Sequence, residues 1–185
     1  MQIKLILLDF DGTLATTEEA NMMAYALALK EEGIELDLAE YKRHYFGMRC
    51  PEFLNDIGIT DPEQMKAIRR RKVEIYPTHF DMVTLNKPLW DFVQMFRSNG
   101  GKAMIVSTGH IDNITNAMRY LGIEKEVDGI LSAHDVERSK PAPDCFLKAM
   151  DIVGVTPAET IIFEDSVYGL QSAKDSGATF VQIKL

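Results

Sequence analysis

Cysteine is nearly missing from this chain: Cys50 and Cys145 are the two it has, far apart and in no paired motif. A disulfide framework is thereby excluded, and two free thiols in a reducing compartment are expected, each acting as a small core residue. Histidine is as sparse, and His44, His79, His110 and His134 are scattered with no Cys/His cluster of zinc-site spacing. Positive charge is also short. Lys and Arg number 20 against 28 Asp and Glu, which leaves a net charge of -8 and a pI near 5.0. Such a surface repels phosphate-rich polymers and anionic membranes, so neither nucleic acid nor a membrane is an expected partner. No apolar run reaches membrane-spanning length, and Met1-Gln2-Ile3-Lys4 leads straight into a strand-like segment without a secretory leader. A cytoplasmic protein is expected, in which the sequon Asn113-Ile114-Thr115 is coincidental.

What is present is enough apolar content, 46% of 185 residues, to bury one core, with or without an insertion. The run Ile3 to Leu8, broken only by Lys4, is rich in branched residues and ends at Asp9-Phe10-Asp11-Gly12-Thr13-Leu14. It reads as a buried parallel strand emptying into a loop. Ligands of open α/β sheets sit outside the carboxyl ends of strands, and one residue separates Asp9 from Asp11, so both side chains can enter one cavity. Taken alone, Asp-x-Asp-Gly is equally well a polar turn.

Beyond Thr13 the pattern turns helical. Thr16 or Thr17 with Glu18 and Glu19 starts a helix that places Met22, Met23, Ala26, Leu27 and Leu29 at helical spacing and stops at Gly33. Further helices are predicted near Leu38 to Phe46, from Pro51, and after Asp61-Pro62, the last with Met65, Ile68 and Ile75 on one stripe and Arg69 to Lys72 across the other faces. From about Val83, strand and helix alternate: a helix through Leu89, Phe92, Val93 and Phe96; a strand Ala103 to Val106 ending at Ser107-Thr108-Gly109; a helix through Ile114, Ala117, Met118 and Leu121. The short apolar stretch Ile130-Leu131, the loop Ser139-Lys140-Pro141, a helix through Phe146 to Val153, a strand Thr160 to Phe163 running into Glu164-Asp165, a helix from Val167 and a strand Thr179 to Ile183 complete it. This alternation predicts a parallel sheet flanked by helices, interrupted after its first strand by a helical insertion.

Asp9-Phe10-Asp11-Gly12-Thr13 resembles the signature of the haloacid dehalogenase-like hydrolases, and Ser107, Lys140 and Glu164-Asp165 follow in that family's order. The resemblance implies an α/β, Rossmann-like parallel sheet core over residues 1–14 and 83–185, with an all-helical cap over residues 15–82. It implies that Asp9 is the nucleophile forming an aspartyl-phosphate, that Asp11 is the acid/base, that Ser107 hydrogen-bonds the phosphoryl oxygens and that Lys140 supplies charge. Asp9, Asp11, Glu164 and Asp165 in one place would repel, each like-charged pair at about 4 Å costing about 4 kcal/mol at an effective dielectric of about 20. Oxygen ligands with a phosphate to share favour magnesium, held by the Asp9 side chain, the Asp11 carbonyl and Asp165, with Glu164 ligating or supporting. Glu164-Asp165 also suits a helix N-cap.

Gly47-Met48-Arg49 looks like the cap substrate loop of the β-phosphoglucomutase-like branch, which makes Gly47 and Arg49 candidate substrate contacts, although the branch's arginine often stands where this chain has Cys50. Asn21, Thr108 and Lys72 are further candidates, a solvated helix face being the commoner fate of Lys72. The second aspartate separates phosphate chemistry from halide release, which needs no proton. Mutases of the branch carry a histidine on the first cap helix, where this chain has Asn21, and this favours hydrolysis. The expected activity is a magnesium-dependent phosphatase for a small phosphorylated metabolite, such as a sugar phosphate, acting as a monomer or weak homodimer. A sugar phosphomutase and a non-catalytic phospho-acceptor are the alternatives.

Overall fold

Branched apolar residues build the first strand of the computed structural model, which describes residues 2–185; Met1 lies outside the described residues. Strand β1 is Leu5–Leu8, with all four side chains fully buried, as a strand covered on both faces requires. After the Asp9 to Leu14 loop comes β2, Ala15–Thr16. The helices that follow are α1 (Glu18–Glu31), α2 (Leu38–Glu40), α3 (Cys50–Asp56) and α4 (Pro62–Ile75). Then come β3 (Thr84–Leu85), α5 (Lys87–Ser98), β4 (Lys102–Val106), α6 (Ile111–Tyr120), β5 (Gly129–Leu131), α7 (Asp144–Val153), β6 (Thr160–Glu164), α8 (Val167–Asp175) and β7 (Thr179–Gln182). No helix among the described residues is long and apolar enough to cross a membrane.

The chain divides into two compact units, one running up to Thr16 and resuming at Thr84–Leu185, the other Thr17–Val83. In the first, five parallel strands stand in the order β5-β4-β1-β6-β7, with Leu7 of β1 level with Met104 of β4 and Ile162 of β6. The strand order reverses at β1, so the loops leaving β1, β4 and β6 open side by side at one edge. Leu5 and Leu7 join Val106, Cys145, Phe146, Met150, Ile162 and Ala173 in a buried cluster beneath α7 and α8. Phe92, expected inside, is 41% exposed and touches Phe163 edge-on, because the buried stripe of α5 is Leu89, Trp90 and Val93. The outermost strand, β7, is exposed throughout and ends one residue short of the expected Ile183.

A two-stranded antiparallel ribbon, β2 with β3, closes the first unit where the helical segment leaves and returns; sequence patterning gave no sign of it, since two residues per strand carry no periodicity. Beside it Asn86 does three things: its N–H donates to the Leu14 carbonyl, its amide donates to the Thr13 carbonyl, and its oxygen caps α5 by accepting from the Leu89 N–H. The returning chain is thereby tied to the loop that follows Asp9.

In the second unit α1 packs on α4, with Gly33 (φ +75°) ending α1 and Asp61-Pro62 opening α4. The buried face of α1 is Ala20, Met22, Ala24, Ala28 and Leu29: of the residues expected at helical spacing, Met22 and Leu29 lie on it and Met23, Ala26 and Leu27 do not, and small residues at four-residue spacing let the helices approach. The predicted helix near Leu38 to Phe46 is α2 continued by a π-helical turn over Tyr41–Tyr45. Tyr25, Tyr41 and Phe53 form an aromatic cluster with ring centroids 5.1 to 5.9 Å apart. The solvated face expected for Lys72 is corrected: it is 2% exposed, its ammonium donates to Asn21 Oδ1 at 2.6 Å and lies 4.1 Å from the Tyr76 ring centroid.

Leu7→Ala removes a fully buried side chain from the central strand, where neither sheet face can collapse to fill the gap. Urea denaturation should show a loss of about 3 kcal/mol, and a loss below about 1 kcal/mol would contradict this account of the core.

Candidate active site

Three separate stretches meet around one ammonium group. Lys140, 6% exposed, lies between β5 and α7, and its Nζ donates to Asp9 Oδ1 at 2.7 Å, Glu164 Oε1 at 2.6 Å and the Val106 carbonyl at 2.8 Å. Those are the ends of β1, β6 and β4, which the sheet order makes neighbours. All three ammonium hydrogens are thus engaged, and Lys140 acts here as a fixed charge that also orients Asp9.

Asp165 stands beside this group. Its Oδ1 accepts from the Thr13 hydroxyl at 2.8 Å, and Asp9, Glu164 and Asp165 each offer an oxygen within 4.8 Å of the others. Gly12 is required here twice over: its φ of +87° suits glycine, and a Cβ on it would run into the Asp165 carboxylate. Glu164 is fully buried; its Oε2 accepts from the backbone N–H of Asp165 and of Ser166, and from the Ser166 hydroxyl. Asp11 and Ser107 both border Gly109 in the loop after β4, where a Cβ on that glycine would lie 3.2 Å from Asp11 Oδ2 and from Ser107 Oγ. Ser107 Oγ also accepts from the Gly109 N–H at 3.0 Å, and Thr108 between them is half-buried at the entry to α6.

The electrostatics follow from one cation among three anions. Burial pushes the Asp9 carboxyl well above its ordinary range; Lys140 opposes this, while the Glu164 and Asp165 charges add to it. Burial likewise raises Asp165, to about 6, against the pull of the Thr13 hydrogen bond. Burial alone would lower Lys140, but Asp9 and Glu164 prevail and hold it protonated, above the ordinary lysine value. Three carboxylates and one ammonium leave two negative charges, which one divalent cation would balance. The donors are all oxygen, so the residues fit a hard cation such as magnesium.

Of the residues singled out in the sequence, Asp9, Asp11, Ser107, Thr108, Lys140, Glu164 and Asp165 all lie in the first unit. Gly47, Arg49, Asn21 and Lys72 lie in the second, where Gly47 turns at φ +84° and half-buried Arg49 faces Glu52 at 3.8 Å. Sequence reasoning overlooked Thr13, Ser166 and Gly169. A hydroxyl directly after Asp-x-Asp-Gly was a signal for the first; no pattern announces that Gly169, in the first turn of α8, leaves the space in which the Glu164 carboxyl group sits, where a Cβ would collide with it.

A family model for haloacid dehalogenase-like hydrolases matches residues 6–183. Fructose-1-phosphate phosphatase YqaB of Escherichia coli is 27% identical over 183 residues, covering 97% of this chain and 96% of that protein. Validoxylamine A 7'-phosphate phosphatase of Streptomyces hygroscopicus is 27% identical over 177 residues, 94% of this chain and 82% of that protein. Among solved structures, CbbY from Rhodobacter sphaeroides in complex with phosphate superposes with a TM-score of 0.90 at 24% identity, over 100% of this chain and 87% of that one, a likeness of fold. With the signature aspartates and the acidic pair at the ends of adjacent parallel strands, the lysine reaching them from the segment between β5 and α7, and a family match running from β1 to the residue after β7, this chain belongs to the haloacid dehalogenase-like hydrolases.

Proposed function

We propose that the chain is a magnesium-dependent phosphatase that hydrolyses a small phosphorylated metabolite, of the sugar-phosphate class, through an aspartyl-phosphate. The observation that carries this reading is the buried Lys140 ammonium held between Asp9 and Glu164 with Asp165 alongside. Charge so concentrated is costly to bury, and it suits a site built to receive a phosphoryl group. The fructose-1-phosphate and validoxylamine phosphatases among the relatives support the substrate class.

In the proposed reaction Asp9 attacks phosphorus, the bond from phosphorus to the leaving oxygen breaks, and Asp11 gives that oxygen its proton. Asp11, now a carboxylate, takes a proton from water as the water attacks the aspartyl-phosphate; inorganic phosphate leaves and Asp9 is restored. Ser107 hydrogen-bonds the phosphoryl oxygens, and Lys140 fixes Asp9 and offsets charge. Magnesium, held by Asp9, Asp165 and the Asp11 carbonyl, would neutralise the phosphoryl oxygens. The Thr17–Val83 unit is proposed as the cap that selects the leaving group, with Gly47, Arg49, Asn21, Lys72 and Thr108 as substrate contacts. Hydrolysis is preferred to a mutase because Asn21, on the first helix of that unit, has no titratable group.

Release of inorganic phosphate from a panel of sugar phosphates should require magnesium and drop to background in Asp9→Asn; activity surviving that change refutes the nucleophile. Asp11→Asn should lower kcat by roughly 100- to 10,000-fold, the span of a lost general acid/base. An isomerised product dependent on a bisphosphate activator would instead establish the mutase.

The pH dependence follows from Asp165. Its folded carboxyl titrates near 6 and an unfolded one near 3.8, so between these values the folded state holds the extra proton. Stability of the metal-free protein should therefore fall as pH rises through that window, and the stranded charge persists above it. Magnesium at a hundred times its dissociation constant should add about 2.7 kcal/mol near pH 7.5 and visibly less near pH 5, where it must first displace a proton. Thermal melts showing the same magnesium gain at both pH values would count against Asp165 as a ligand.

A further inference from the structure

At the end of the sheet away from the reacting groups, a cleft of about 350 Å³ opens between the last turns of α5, the start of β4 and the residue before β5. That volume is within the range of small-molecule sites. Strand β4 begins in this cleft at Lys102, and at about 3.3 Å per residue Ser107 is about 16 Å further along. The wall along Gly100 and Gly101 is bare backbone whose N–H groups are spent: Gly100 donates to the Arg97 carbonyl, Gly101 to the Phe96 carbonyl and Lys102 to the Lys4 carbonyl.

Three charged side chains line the cleft. Asp128 Oδ1 accepts from the Lys102 ammonium at 2.8 Å, and Oδ2 accepts from the Ala103 N–H at 2.9 Å and Arg97 Nε at 3.1 Å. Burial would raise the Asp128 carboxyl, but these donors outweigh it and hold it below the ordinary aspartate value, a carboxylate with both oxygens committed. The unspent polar capacity is therefore on the donor side. Arg97 Nη1 donates to Gln94 Oε1 at 3.1 Å, its Nη2 makes no hydrogen bond among the described residues, and the Lys102 ammonium uses one of its three hydrogens. Two cations against one carboxylate leave one positive charge, in a chain whose net charge is -8.

We infer that this cleft binds the oxyanion group of a small metabolite, a carboxylate or a phosphoryl group, through Arg97 Nη2 and the Lys102 ammonium, at a site separate from the one that reacts. A guanidinium edge beside an ammonium presents charge-assisted donors to one group, whereas a cationic ligand meets only acceptors that are already taken. The inference stands whatever the chain hydrolyses, because no residue of the reacting site takes part in it.

Backbone amide NMR of the metal-free protein at constant ionic strength tests it, with succinate, inorganic phosphate and putrescine as probes. Succinate or phosphate should shift the amides of Ser98, Gly100, Gly101 and Lys102 along saturable curves with a Kd on the order of 1 mM. Saturation by succinate alone identifies a carboxylate site, by phosphate alone a phosphoryl site, and by both a site for either. Phosphate entering the reacting site is read separately, at the Gly12 and Gly109 amides. Lys102→Gln and Arg97→Gln should each weaken binding about tenfold. Both take a partner from Asp128, so Ser98→Glu, which keeps those bonds and sets a carboxylate at the cleft, should weaken binding likewise and decides alone if the other two fail to fold. Shifts that rise without saturating, that are equal in the wild type and Ser98→Glu, or that putrescine matches, overturn the inference.

Discussion

One buried ammonium governs how this core is arranged. Asp9, Glu164 and Asp165 could not be brought within 4.8 Å of one another by packing forces alone, because each close like-charged pair costs about 4 kcal/mol at an effective dielectric of about 20. Lys140 makes the approach tolerable by contacting two of them directly. The arrangement still falls two charges short of neutrality, and the carboxyls of Asp9 and Asp165 are raised first by burial and then by the neighbouring carboxylate charges. A buried ion pair adds little to stability once desolvation is counted, whereas a site that must stabilise a phosphoryl group has a use for it.

The sheet supplies what the charges need. With β1 at the centre and β4 and β6 on either side, the Asp9 N–H donates to the Phe163 carbonyl and the Ser107 N–H to the Leu131 carbonyl, so each reactive segment leaves from a backbone already hydrogen-bonded to a neighbour. Loops that begin at fixed strand ends lose little further entropy in reaching their positions. Gly12, with Asp165 packed against its α-carbon, and Asn86, bonded to the Thr13 and Leu14 carbonyls, then remove most of the remaining freedom around the signature loop.

The strands and helices of this core were legible in the sequence because each carries a strong pattern: β1 is a continuous apolar run, and α5 to α8 have apolar faces that end at glycine, asparagine or serine. The convergence of Asp9, Glu164 and Asp165 was legible for the same reason, since strand-end positions in a parallel sheet are neighbours whatever their separation along the chain; Lys140 reaches them from the segment between β5 and α7. Properties set by one tertiary neighbour were not. The β2 and β3 ribbon is too short for a period, the Ala20, Ala24 and Ala28 face of α1 is small rather than hydrophobic, and Lys72 is buried with its ammonium on the amide of Asn21, 51 residues away, which sequence spacing cannot pair with it. Gly169 belongs to the same class, because its importance lies in the space it leaves for a side chain five residues earlier.

The division of labour among the acidic groups follows from what the proposed reaction does to each. Asp9 changes its charge and its bonding when it carries phosphate, and Asp11 gives up and recovers a proton. Neither can therefore serve as the constant anchor of the ammonium. Glu164 can, because no step consumes it and its oxygens are tied to Lys140 on one side and to the N–H groups entering α8 on the other. In the proposed reaction, the bonds from Lys140 to Glu164 and the Val106 carbonyl would keep its position for the second step. On the proposed mechanism, a carboxylate sealed from solvent and excluded from the chemistry would thus let a neighbouring carboxylate be chemically altered and returned within a single turnover.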